Sequence, residues 1–159
     1  MKKLASLIKG AMVCMMTTHD AAGNLRSRPM ALQEAEVDRE LWFFTGRHTE
    51  KAKDLEIDNR INVTVTNPSS YVSVSGIGTL VDDKAKAAEL WHATYRKWFP
   101  KGLSDPELVL LKVTIEHAEY WDPPEGPVNT LIGFAKSFAT GDTEDTIEHQ
   151  IIDVPYPTV

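Results

Sequence analysis

Two consecutive stretches with a period-two pattern constrain the fold of this chain most strongly. Every second residue in 61–66 is Ile or Val, and the alternation resumes over 71–81 after the turn-forming run N-P-S-S. This pattern predicts neighbouring strands that each have one buried and one polar face. Gly76 and Gly78 interrupt the second strand, which indicates a bend or a bulge of the kind that closes a barrel.

Further signals complete one antiparallel domain. Apolar runs between turn residues predict strands, and helical patterns appear at the N terminus and in two internal segments. Alternating βαβα units are missing, which argues against a doubly wound dinucleotide-binding fold. The sequence therefore predicts a mainly β barrel with flanking helices. The predicted strands are 11–18, 25–33, 41–45, 61–66, 71–81 and 108–121; the predicted helices begin near Leu4, at Thr49 as N-cap and at Asp82, the last running to Trp98, with a further helical segment over 128–139 and an acidic tail from Gly141.

Composition excludes several classes of protein. The 159 residues fit a single domain, and the formal net charge of -6 argues against a general nucleic-acid binder. The longest uncharged stretch, 61–81, is rich in Thr, Ser, Asn and Gly, so no membrane span is expected and the protein should be soluble. Cys14 is the single cysteine, which permits no internal disulfide and suits a reducing cytoplasm. We expect Cys14 to be a buried small hydrophobic residue, not a catalytic thiol.

Arg28 and Lys51 form a candidate phosphate clamp. Arg28 lies on a predicted strand, where its planar guanidinium matches a phosphate, and Lys51 lies in the first turn of a predicted helix beside exposed N–H groups. The alternative is that both are ordinary surface charges, as Arg26 would be. The five His residues have no metal-site spacing, and no hydrolase or NTPase motif is present. Any chemistry would therefore depend on a bound cofactor.

Several runs in consistent order resemble a known family. They are R-S-R-P-M, L-W-F-F-T-G-R-H-T-E-K-A, Y-V-S-V-S-G-I-G-T-L-V-D-D, W-F-P-K-G and E-Y-W-D-P-P. Together they resemble the general stress proteins among the FMN-binding split β-barrels related to pyridoxamine 5′-phosphate oxidase. The resemblance implies a six-stranded antiparallel split β-barrel with flanking α-helices over residues 1–126. It also implies that residues 127–159 form a C-terminal helix and tail that pack on the barrel or the partner subunit.

The same resemblance implies a homodimer that binds FMN in two clefts at the subunit interface. Arg28 matches an arginine that contacts the FMN phosphate, Lys51 matches the phosphate lysine, and Thr49 matches a phosphate-side hydroxyl. Trp121 is a candidate lid over the flavin from the other subunit, with core or interface packing as the alternative. The other residues implied to contact the flavin are Pro29, Met30, Ala31, Phe44, Thr45 and Tyr71, the last in place of a glutamine.

Residues that differ from the oxidase pattern limit the activity expected of this chain. Glu50 replaces a second phosphate-binding arginine and Gln33 replaces a basic residue, so two positive charges are lost. The oxidase's substrate motif, rich in Arg and His, has no counterpart after Trp121, so pyridoxamine phosphate oxidation is not expected. The resemblance implies an FMN-dependent oxidoreductase of unknown substrate, with no identifiable catalytic residue. A non-catalytic flavin store or sensor, or another anionic ligand such as a deazaflavin or haem, remains the alternative.

Overall fold

The computed structural model describes residues 2–33, 39–68, 70–122 and 148–153. It contains three α-helices, seven strands and two short 3-10 turns within these residues. No helix in the described ranges is both long enough and apolar enough to cross a membrane. The elements are α1 (Lys2–Ile8), β1 (Val13–His19), β2 (Leu25–Ala31), β3 (Glu40–Gly46), α2 (Glu50–Ile57), β4 (Arg60–Thr66), β5 (Tyr71–Val81), α3 (Lys84–Leu90), the 3-10 turns Ala93–Lys97 and Gly102–Ser104, β6 (Leu108–Asp122) and β7 (Glu148–Asp153).

The seven strands form one antiparallel sheet that closes on itself. The strand order is β2-β1-β4-β5-β6-β3, and the Gln33 backbone N–H donates to the Trp42 carbonyl at 3.3 Å, which links the two ends of this path. β6 is long enough to pair along one edge with β3 in its first half and with β7 in its second half. This architecture confirms the predicted mainly β, antiparallel split barrel with flanking helices.

Glycines allow the barrel to bend where the sequence indicates. The pairing of β5 with β6 shifts register between Ser75 and Gly76, so the predicted bulge is present. A Cβ at Gly76 would lie 2.0 Å from the Thr114 carbonyl oxygen, so no larger residue fits there without backbone movement. At Gly78 a Cβ would lie 2.3 Å from the Ile61 Cδ1 atom, so the absence of a side chain here leaves room for the Ile61 side chain of β4 in the core.

Alternate residues of the strands fill the barrel with apolar side chains. The core includes Met16, Phe43, Val63 and Val74, none of which has exposed surface, and α1 adds Leu4 to it. A second, smaller cluster lies outside the barrel under α3, where the Phe44 ring packs against Trp91 and Tyr95 at centroid distances of 5.7 and 4.7 Å. These two clusters hold α1 and α3 on the barrel.

The predicted helix over 82–98 is wrong in its second half. α3 ends at Leu90, and the backbone is extended at Trp91 and His92 before the 3-10 turn begins. The His92 ring accepts a hydrogen bond from the Thr94 N–H and so caps the new turn. The break lets the Trp91 and Tyr95 rings both reach Phe44, a tertiary contact that overrides the helical pattern.

Cys14 is buried in the barrel, as predicted. Its side chain is 3% exposed, and its Sγ donates to the Met30 carbonyl oxygen at 3.5 Å. Burial raises the pKa of the thiol to about 11. A thiol that stays protonated at neutral pH is a poor nucleophile, so Cys14 serves packing.

The described residues include one short segment of the C-terminal region. Residues 148–153, within the predicted tail, form β7 and pair with β6 of the barrel. The boundary at residue 126 and the helical segment predicted over 128–139 lie outside the described residues.

Candidate anion-binding site

Arg28 lies inside one end of the barrel, close to α2. The register of β1 with β2 places it opposite Met16, whose side chain is fully buried, so both side chains are on the inner face. One guanidinium nitrogen, Nη1, donates to the Thr18 hydroxyl at 2.6 Å, and Nη2 lies 3.5 Å from the Asp54 carboxylate. The Thr18 hydroxyl in turn donates to Asp54 at 3.2 Å. The three side chains thus form a closed polar network.

Lys51 approaches this network from the first turn of α2. Its helical neighbours Ala52, Asp54 and Leu55 are buried, so Lys51 lies on or beside the packed face of the helix. Among the residues that the structure describes, no carboxylate pairs with its ammonium group. Burial lowers the pKa of Lys51, and the positive charge of Arg28 lowers it further. The direction of this pKa shift indicates electrostatic repulsion between the two cations.

The start of α2 offers backbone donors beside Lys51. Thr49 is the N-cap residue, as predicted, but its hydroxyl donates to the Gly46 carbonyl at 2.9 Å and caps no helix N–H group. The Thr49 hydroxyl also lies 3.5 Å from that of Thr45, which is buried. The first N–H groups of a helix have no intrahelical partner and favour a negative charge. The arrangement of two cations and a helix start suits a small anion.

The two departures from the oxidase pattern have different structural roles. Glu50 is exposed and pairs with Lys53 at 3.2 Å. Gln33 is buried, and its side-chain amide donates to the Tyr95 hydroxyl at 2.6 Å and to the Ala31 carbonyl at 3.2 Å. Gln33 therefore ties the end of β2 to the aromatic cluster.

The predicted flavin-side residues divide between the two faces of the barrel wall. Met30 is opposite Cys14 in the core, whereas Pro29 and Ala31 pair with Met15 and Val13 on the outer face. Phe44 packs in the cluster under α3. The side chains of Met30 and Phe44 are thus committed to packing within this chain.

Tyr71 and Trp121 are cross-strand neighbours on the outer face. The register of β5 with β6 places them opposite each other, and their inward neighbours Val72 and Tyr120 are buried. Tyr71 is 45% exposed. Because Arg28 is on the inner face, the structure does not bring Tyr71 and Trp121 together with the clamp in one chain.

Thr18 and Asp54 belong to the polar network of the candidate site, but the sequence pattern did not indicate them. The available signal was spacing: Asp54 follows Lys51 by three residues and so lies on the same side of the helix. Thr18 gave no such signal, because its role depends on contacts with β2 and α2.

A separate cavity lies away from these residues. It measures about 270 Å³, is lined by α3 and the start of β6, and contains neither Arg28 nor Lys51. Its rim carries the Arg47–Asp82 ion pair at 2.7 Å together with Asp83, Lys84 and Asp105. These mixed charges give no net attraction for an anion, so the clamp at α2 is the better candidate site. No group of three His, Cys, Asp or Glu side chains able to hold a metal occurs in the described part of the chain.

Comparison with known proteins decides the family. The family model described as pyridoxamine 5′-phosphate oxidase like matches residues 1–145. The chain belongs to the pyridoxamine 5′-phosphate oxidase-like family. Solved structures named as general stress proteins share the fold of this chain.

Three relatives of this oxidase-like protein illustrate the similarity. Protein bli-3 of Neurospora crassa is 29% identical over 150 residues, covering 87% of this chain and 72% of the relative. The crystal structure of a candidate general stress protein 26 from Jannaschia sp. CCS1 superposes with a TM-score of 0.75 at 23% identity, covering 96% of this chain and 97% of that one. The general stress FMN/FAD binding protein of Xanthomonas citri gives a TM-score of 0.68 at 24% identity, covering 79% and 89%. The two structures establish the shared fold.

Substituting Lys51 by methionine should raise the stability of the ligand-free protein. The folded state lowers the pKa of Lys51, so the penalty for its charge is fully present at neutral pH and is relieved as pH rises through the folded pKa. We expect a Tm gain of at most about 2 °C at pH 7, because the ammonium is partly hydrated and 1 kcal/mol moves Tm by about 2–4 °C at this size. Thermal unfolding at pH 7 and pH 10 measures it, with Lys53→Met as the exposed control. A Tm loss larger than that of the control would contradict the burial penalty.

Proposed function

We propose that this oxidase-like protein binds FMN through its phosphate and acts as a flavin-dependent oxidoreductase on a small-molecule redox partner. The observation that carries the proposal is the half-buried Lys51 ammonium, which has no carboxylate partner among the described residues and lies near Arg28 at the start of α2. A desolvated cation beside a second cation is unfavourable without an anion. The family of the chain supports a flavin phosphate as that anion.

The residues present fit a phosphate monoester. Arg28 and Lys51 contribute two positive charges and Asp54 one negative charge, which leaves a net charge of +1 at the clamp. Arg28 and Lys51 would hold the phosphate, with Thr49 beside them. The backbone of residues 29–31 and Thr45 would border the flavin. When bound, FMN supplies reversible electron transfer, and the barrel binds it, orients it and limits its contact with water.

We also propose a homodimer with two flavin sites at the subunit interface. The outer face of β1 and the adjoining loop expose apolar side chains: Met12 is 79%, Val13 57% and Met15 43% exposed. An apolar strip of this kind favours burial against a second copy. A dimer would give each cleft walls from two chains, with Tyr71 and Trp121 contributed by the partner. Light scattering of wild type and Met15→Glu tests this; a wild-type monomer that retains FMN would contradict it.

The visible spectrum and the mass of the ligand released on denaturation test the cofactor. The expected result is a yellow protein, or one that becomes yellow after loading, whose released ligand has the mass of FMN. Release of haem, a deazaflavin or FAD, or failure of the protein to retain added FMN, would overturn the assignment.

Reoxidation kinetics separate an oxidoreductase from a flavin store or sensor. The FMN-loaded protein is mixed with NADH or NADPH and small electron acceptors, and steady-state rates are compared with those of free FMN at equal concentration. Rates above those of free FMN support the oxidoreductase. Rates no faster than free FMN with every donor tried would favour the non-catalytic alternative.

A further inference from the structure

We infer that Asp54 and Thr18 are positioning residues for Arg28, and that the charge of Asp54 limits how tightly the clamp holds an anion. The identity of the anion rests on the proposed function, whereas the positioning of Arg28 does not. Neither residue is a direct ligand in this proposal.

The contacts of Asp54 show that its carboxylate is built into the site. It is only 5% exposed, accepts a hydrogen bond from the Thr18 hydroxyl at 3.2 Å, and lies 3.5 Å from Arg28 Nη2. Thr18 is fully buried and also accepts from Arg28 Nη1 at 2.6 Å. A buried carboxylate is strongly unfavourable unless it is paired and hydrogen-bonded. Arg28 is the cation that pairs with Asp54 in the described residues.

This network fixes the plane of the guanidinium. Arginine has five N–H donors in a rigid fork, and anchoring Nη1 and Nη2 on one side leaves other donors for a ligand. The helix sets the rest of the geometry, because Lys51 and Asp54 are three residues apart on α2. An anion can then meet Arg28 and Lys51 without Arg28 having to be ordered first.

Asp54 has a second effect of opposite sign. Its negative charge lies beside the place where the phosphate would bind, so it opposes the anion while it orients Arg28. Asp54→Asn removes the charge and keeps an oxygen acceptor for Thr18 and Arg28, whereas Asp54→Ala removes both. The two variants therefore separate the positioning effect from the charge effect.

FMN and riboflavin titrations of both variants, in wild type and in the Arg28→Met background, test the proposal. We expect Asp54→Ala to weaken FMN binding about tenfold, the lower range for a charge-assisted hydrogen bond, and Asp54→Asn to restore it to wild type or better. In Arg28→Met the sign of the Asp54→Ala effect should reverse: Asp54→Ala and Asp54→Asn should both strengthen FMN binding several-fold, since each removes an unpaired repelling charge. Riboflavin affinity should stay unchanged. Equal effects of both variants in both backgrounds, or equal effects on riboflavin, would show a merely structural role.

Nitrogen-15 NMR of the Arg28 guanidinium, without any ligand, tests the positioning independently. Hindered rotation, seen as separate Nη signals, is expected in the wild type and in the control variant Thr17→Val. The Thr17 hydroxyl contacts the exposed Ser27 and not Arg28, so its removal should leave Arg28 unchanged. Hindered rotation should be lost in Thr18→Val and Asp54→Ala. Free rotation in wild type would overturn the inference even if FMN binds. A wild type that fails to bind FMN but shows hindered rotation would refute the proposed function and leave the positioning supported.

Discussion

Replacing Arg28 and Lys51 together by alanine is expected to weaken FMN binding at least about a hundredfold. Each charge-assisted hydrogen bond to the phosphate contributes roughly 1.5–3 kcal/mol, and each 1.4 kcal/mol is a factor of ten. Arg28 and Lys51 are the two cations of the candidate clamp, and the charge of Arg28 contributes to the lowered pKa of Lys51. Fluorescence titration of FMN against the double variant measures the loss.

The double variant Arg26→Ala with Lys53→Ala provides the matched control. It removes the same net charge from the same strand and helix, but both side chains are exposed. FMN affinity should fall less than about threefold, since exposed charges are screened by solvent and salt. Equal losses in the two double variants would mean that net charge, not the clamp, governs binding. Circular dichroism of both variants establishes that the barrel has folded.

Gly76→Ala is expected to destabilise the fold by about 3 kcal/mol or to prevent folding. The new Cβ would lie 2.0 Å from the Thr114 carbonyl oxygen, a backbone atom held in the β5–β6 ladder. Overpacking costs typically about 1–3 kcal/mol, and a backbone contact that cannot relax belongs at the upper end or beyond. Denaturant unfolding monitored by tryptophan fluorescence gives the free energy of unfolding.

Gly78→Ala on the same strand is the comparison for that variant. There the Cβ would meet the Cδ1 atom of Ile61, the end of a flexible side chain, at 2.3 Å. A rotamer change can relieve this contact, so a smaller loss is expected than for Gly76→Ala. If Gly78→Ala proves the more damaging of the two, the bulge at Gly76 is not the position that demands glycine.

Strand periodicity made most of the fold predictable from sequence. All six strands predicted from apolar runs and alternation form, because each has one face in the barrel core. The bulge at Gly76 was predictable for the same reason, since a glycine within an alternating strand marks a close backbone approach. β7 was not predicted, because its sequence E-H-Q-I-I-D lacks a clear period and its pairing depends on the free edge of β6.

The helix predicted over 82–98 shows where the local sequence pattern fails to predict the structure. The apolar spacing of that segment fits one helix, yet the chain breaks after Leu90 so that Trp91 and Tyr95 can pack against Phe44. The energy of such aromatic packing exceeds the small differences in helix propensity between residues. Sequence periodicity cannot indicate which partner surface a stripe of aromatic residues will contact.

The clamp was predictable only in part. Arg28 and Lys51 were chosen as candidates from charge, residue type and their places on a strand and a helix start. Asp54 and Thr18 were not, because their roles arise from a meeting of β1, β2 and α2 that no local pattern encodes. A pair formed by a partly buried Arg and a buried Asp looks in sequence like two surface charges.

The affinity of the wild-type protein for FMN relative to riboflavin is the most direct test of phosphate recognition by Arg28 and Lys51. The two ligands share the flavin ring and the ribityl chain and differ only in the phosphate. FMN should bind at least about a hundredfold more tightly, by the same estimate of two charge-assisted contacts, and the double alanine variant should abolish that preference. Equal affinity of the wild-type protein for the two ligands would contradict the assignment of Arg28 and Lys51 as the phosphate clamp.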